Sequence, residues 1–150
     1  MNETWTRWLL TGAAAWNLIG GITSLLDPAN HYAQMYTTAP PAADALFTYF
    51  YQCTWINVIA WGLAYLHAAF STQSRLSVLA AGGIGKAMYF VACAGLVLSG
   101  AGKPLVLVFG LGDLAMALLF AAAYFSARRR AGQPELDRGS ASSMLGATGR

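Results

Sequence analysis

The sequence predicts an all-α integral membrane protein, a bundle of four transmembrane helices with both termini cytoplasmic. Three observations lead there. The chain of 150 residues is 57% hydrophobic and only 10% charged, whereas an ordinary soluble domain is about 25% charged. So few charges cannot cover a water-facing surface, and the natural solvent is lipid. The apolar residues also fall into four stretches of about 20, the length a helix needs to cross roughly 30 Å of hydrocarbon. Finally, the charges are sorted along the chain. Up to residue 126, Arg7, Arg75, Lys86 and Lys103 are balanced by Glu3, Asp27, Asp44 and Asp113, so the formal +3 belongs to the C-terminal tail.

The first span is expected at about 8–26, where Asp27-Pro28 stops it. The second, at about 45–69, follows Pro40-Pro41 and an N-cap at Asp44. The third is expected at about 76–99. The fourth is expected at about 104–125, with Pro104 suited to a first helical turn. Residues 1–126 thus form one transmembrane domain. Residues 127–150 read as a disordered basic cytoplasmic tail, rich in Gly, Ser and Ala and without periodic apolar positions.

Basic residues orient the bundle. If the helices alternate, Arg7, Arg75 and Arg128 to Arg130 share one side and Lys103 lies alone on the other. The positive-inside rule makes the first side the cytoplasm of a bacterial-type inner (cytoplasmic) membrane, with the connection from Asp27 to Asp44 outside. Trp5, Trp8, Tyr124 and Phe125 then fall at inner ends and Tyr49, Phe50 and Tyr51 toward an outer end, as interfacial aromatic belts do. A cleaved signal peptide is not expected, because the apolar run before Ala13-Ala14-Ala15 is too short. Nucleic acid is not expected as a partner either: the basic residues form a tail rather than a face interleaved with aromatics.

Converting position to depth at about 1.5 Å per residue places Asn17 about 14 Å from the cytoplasmic end of its helix, Lys86 about 15 Å, and Asn57 and Asp113 about 18 Å. Each span therefore carries one strongly polar side chain into the same mid-membrane layer. A charge at that depth costs about 2.5–3.5 kcal/mol on insertion scales, so it faces the bundle interior and is paired. Lys86 and Asp113, on neighbouring antiparallel helices, are the expected pair. Asn17 and Asn57 are expected to satisfy their remaining hydrogen-bonding capacity. Small residues on the same faces permit close packing: Ala13 and Gly21 beside Asn17, Gly82 beside Lys86, and Gly110, Ala117 and Ala121 along the Asp113 face.

Two readings of this layer compete: a structural register for the four helices, or a site that exchanges protons or holds a solute. A vestibule reaching Lys86 or Asp113 would favour the second, and a dry packed layer the first. Other signals are weaker. Cys53 and Cys93 lack redox-motif spacing and read as small buried hydrophobes. His31 and His67 fall on opposite sides, no span contains Glu, and no metal site or cofactor is expected. His31, Tyr32, Tyr36 and Pro40-Pro41 read as an interfacial loop, with an outer lid as the alternative. Gly82-Gly83-Ile84-Gly85-Lys86 lacks the preceding strand and following Ser or Thr of a phosphate loop.

Several local motifs resemble a group of small bacterial four-helix integral membrane proteins. These are Asn17-Leu18 with Gly20 and Gly21, Pro28, Gln52, Gly62 with Tyr65, Ala68 and Ala69, Gly82 with Gly85-Lys86, and Gly112-Asp113. The likeness covers residues 10–126 and departs at Phe70 to Ser74, where the group has an Asp-Pro turn. It implies the fold and the emphasis on Lys86 and Asp113, and carries no mechanism. The sequence thus points to a binding or transport module for an ion, proton or small polar solute, as a homo-oligomer in the bilayer. The alternatives are a non-catalytic accessory subunit of a larger membrane complex and an intramembrane enzyme acting on a lipid-like substrate.

Overall fold

Polar caps set where the helices begin. Asn2 accepts a hydrogen bond from the Trp5 amide at 2.8 Å, and Asp44 accepts from the amides of Leu46 and Phe47 at 2.9 and 3.2 Å. The computed structural model describes residues 2–38 and 44–146, with side chains as far as Arg130. Its helices are α1 (Glu3–Leu26), α2 (Pro28–Met35), α3 (Ala45–Phe70), α4 (Thr72–Leu98) and α5 (Pro104–Gly146). Four are long and apolar enough to cross a membrane: α1, α3, α4 and the Pro104–Arg130 part of α5.

Three boundaries differ from expectation, each for a local reason. α1 starts at Glu3 rather than at 8, because the Asn2 cap lies that far upstream. α4 starts at Thr72 rather than at 76, and Ser71 alone separates it from α3. This abrupt reversal is held by Arg75, whose guanidinium donates to the carbonyls of Ala68 and Ala69, both at 3.2 Å, and so satisfies the last turn of α3. The connection from Asp27 to Asp44, expected as a loop, contains α2. The Asp27 side chain accepts from the Asn30 amide at 3.1 Å and Pro28 opens the first turn, so the pair that stops α1 also starts α2. Pro40-Pro41 lie outside the described residues.

The tail boundary also moves. Residues 127–130, expected as the start of the tail, continue α5 as helix. The backbone helix runs on to Gly146. The side chains of 131–146, and all of 147–150, lie outside the described residues, so the expectation of disorder there is not addressed.

α1 packs along α3 and α4 along α5, and the two hairpins meet to complete the bundle. Their common core lies at the end that carries Glu3 and Ser71: Leu10, Ala14, Tyr65, Leu79 and Phe120 are buried together. Close approach depends on glycine, as two contacts illustrate. A Cβ on Gly110 would lie 2.8 Å from the Cβ of Cys93, and one on Gly82 would lie 2.5 Å from the ring of Tyr65. The small-residue stripes therefore serve packing as expected, except that Ala121 is exposed and Phe120 takes the inward position on α5.

Candidate functional site

Midway along the bundle the helices bring three of the four expected polar residues together. Lys86, on α4, donates from Nζ to Asp113 Oδ1 on α5 at 2.6 Å and to Asn17 Oδ1 on α1 at 3.0 Å. Lys86 is 4% exposed, and Asn17 and Asp113 are 8% exposed each, so the ion pair is internal. Asn17 also donates from Nδ2 to the Val58 carbonyl at 3.3 Å, which ties the cluster to α3 through backbone. Among the described residues no buried side-chain polar atom lacks a partner.

Asn57 does not join them. α3 reaches the cluster through the Val58 carbonyl instead, and Asn57, one residue along, makes no hydrogen bond to it: it is exposed and borders the same cavity. The residue that α3 does supply is Tyr65, whose ring centroid lies 5.6 Å from Lys86 Nζ. Sequence reading treated Tyr65 only as part of the Gly62–Ala69 resemblance. No spacing signals that it reaches Lys86, because Tyr65 lies six residues before Ser71 and Gly82 eleven after it.

The polar cluster is not sealed in. A cavity of about 760 Å³ lies between the two hairpins and is bounded by Asn17, Lys86 and Asp113. Its walls are mostly apolar, with Trp16, Trp55, Trp61, Tyr89 and Phe109 among them. Size and lining are those of a ligand pocket, predominantly apolar with a few converging polar groups. Toward the Glu3 and Ser71 end the cavity stops at the packed core around Phe120.

α2 covers part of the opposite end. His31, Met35 and Tyr36 line the cavity, placing this segment where the lid alternative requires. The helix is fastened on both sides. His31 Nδ1 lies 2.7 Å from the Tyr51 hydroxyl on α3, and the His31 ring stands edge-on to Trp55. The Lys103 side chain donates to the Ala33 carbonyl, and its amide donates to the Met35 carbonyl at 2.8 Å. Met35 is buried with Cys93 and Val106. Both cysteines are free: Cys53 is exposed and Cys93 is buried against the cavity.

Burial lowers the pKa of His31 below its ordinary 6.5. The folded protein then binds fewer protons at His31 than the unfolded chain does, so this contribution to stability is complete above pH 6.5 and is lost as pH falls through the lower folded value. α2 should therefore be held less firmly at pH 5 than at pH 8. Hydrogen exchange of its amides, corrected for intrinsic rates, is expected to show weaker protection at the lower pH, and His31→Phe should remove that difference. Equal protection at both pH values would contradict this.

The fold and site define a small bundle of four membrane-length helices with a cavity floored by an internal ion pair. Comparison of the chain with known protein families, curated proteins and solved structures finds no match.

Proposed function

We propose that this protein is a membrane-embedded binding or transport module that receives a small polar solute, or the polar part of a larger one, in the cavity between its hairpins. One observation carries the reading: the cavity extends to Lys86, Asp113 and Asn17 rather than ending short of them. A pair that only registered helices would sit in packed surroundings, as the core around Phe120 does. Lys86 offers N–H donors, Asp113 offers acceptor oxygens, and Lys86 is held in place by both Asp113 and Asn17. Such a floor recognises a group that both accepts and donates hydrogen bonds. We further propose that the membrane is a bacterial inner membrane and that the end bearing Arg7, Arg75 and Arg128 to Arg130 faces the cytoplasm.

The test is accessibility along α3. Single cysteines are placed at position 57, beside the cavity, and at position 63, where Leu63 is exposed on the outer surface. The background is Cys53→Ala, Cys93→Ala. A water-soluble thiosulfonate acting on the protein in lipid nanodiscs should modify position 57 at least about ten-fold faster than position 63, which lipid keeps dry. Equal, slow modification at both positions would contradict a solute cavity.

A further inference from the structure

The openings of the cavity and its charge balance together specify a class of ligand. On one side α1 and α5 are closed on each other at Trp16, whose ring packs 5.6 Å from that of Phe109 and within 3.1 Å of a Cβ position on Gly112. α2 packs along these same two helices. On the other side α3 and α4 touch at their linked end, where Tyr65 fills the space beside Gly82. Beyond that contact the facing positions are Thr54 and Asn57 on α3 and Gly85, Tyr89 and Ala92 on α4. All five are exposed and all five border the cavity. A Cβ on Gly85 would meet nothing within 4 Å. The α3–α4 seam is thus a side opening, at a depth where a membrane presents acyl chains.

Asn57 stands in this opening, and its side chain makes no hydrogen bond within the described residues. An amide at this depth is costly to leave without a partner, so on the cavity's edge it marks the place where water, or the polar group of a visitor, would be held. The floor is electrically balanced, because Lys86 and Asp113 cancel at 2.6 Å. A charged head group would enter this low-dielectric space with no counter-charge left for it. An uncharged head that donates to Asp113 and accepts from Lys86 meets no such penalty.

We propose that the site binds a neutral amphiphile, an apolar molecule with a hydroxyl- or amide-bearing head, which enters from the bilayer between α3 and α4. The proposal rests on the reading of the cavity as a ligand site. The head reaches the Lys86–Asp113 floor past Asn57, and the chain remains in the seam.

Tryptophan quenching tests it. Trp5→Phe and Trp8→Phe leave Trp16, Trp55 and Trp61, all of which line the cavity. The probes are bromododecanol, bromododecanoate and bromododecyltrimethylammonium, each brominated on the carbon beside the head and added to the protein in nanodiscs. Bromododecanol should quench saturably, with the two charged probes at least about ten-fold weaker. Saturation should be lost in Gly85→Trp, which fills the opening, and kept in Gly95→Trp, which projects from the same helix into open space away from the cavity. It should also be lost in Lys86→Met combined with Asp113→Leu, which removes the floor without leaving a lone charge.

A charged probe that saturates as tightly as the alcohol would overturn the neutral head, and would leave the ligand site standing if it still depended on the pair. Saturation insensitive to Gly85→Trp or to the double replacement would overturn both the route and the floor. If no probe saturates while the cysteine at position 57 reacts rapidly, the amphiphile is overturned and a water-borne solute remains. If neither occurs, both readings fail.

Discussion

Lys86→Met is expected to destabilise the bundle by about 3–5 kcal/mol, because it strands the Asp113 carboxylate in an interior with no counter-charge. Asp113→Leu strands the Lys86 ammonium and should cost a similar amount. The joint replacement removes both charges, and with the cavity beside it to take up the larger Leu it should recover most of the loss and end within about 1–2 kcal/mol of the parent. Steric trapping or SDS-induced unfolding of the four proteins provides the cycle. The non-additivity is large because the pair is internal, at 4% and 11% side-chain exposure, with Asn17 as the one further side-chain hydrogen-bond partner of Lys86 among the described residues. Two single losses that simply add in the double variant would mean that Lys86 and Asp113 are not coupled.

Gly110→Val is the second large effect. Its Cβ would fall 2.8 Å from Cys93 Cβ, an atom fixed to the α4 backbone, so no rotamer change relieves the contact and the two helices must separate. Overpacking of this kind typically costs about 1–3 kcal/mol, and the upper end is expected because α4 and α5 form one of the two tight hairpins. Cys93→Gly should rescue the variant by returning the space. Gly95→Ala, on the same helix but facing open space, should be neutral or slightly stabilising. If Gly110→Val were as well tolerated as Gly95→Ala, the close approach of α4 and α5 would be wrong.

The spans were legible because membrane thickness fixes their length and charge is too costly within them to hide. Lys86 and Asp113 stood out for that reason, and Asn17 followed from equal depth. Depth alone does not fix the direction in which a side chain points. Asn57 shares the layer and borders the cavity but makes no hydrogen bond to the pair, and Ala121 gave way to Phe120 as the inward residue. α2 was missed because Asp27-Pro28 serves both as a stop and as a start, and a short polar helix lacks the apolar run that revealed the spans. The cavity was out of reach of sequence reading, since it depends on how far apart α3 and α4 run beyond Gly82. No hydropathy periodicity encodes that separation.

The central claim is that space continuous with the surroundings reaches deep into the bundle beside the Lys86–Asp113 pair. Cys93 reports on it natively, being 2% exposed yet lining the cavity. In Cys53→Ala protein held in nanodiscs, a small thiosulfonate should modify Cys93 within about ten- to a hundred-fold of its rate in the SDS-unfolded chain, and Gly85→Trp should slow it further. Cys93 that stays unmodified until the protein unfolds, with or without Gly85→Trp, would contradict an open cavity and leave the ion pair a structural register for four helices.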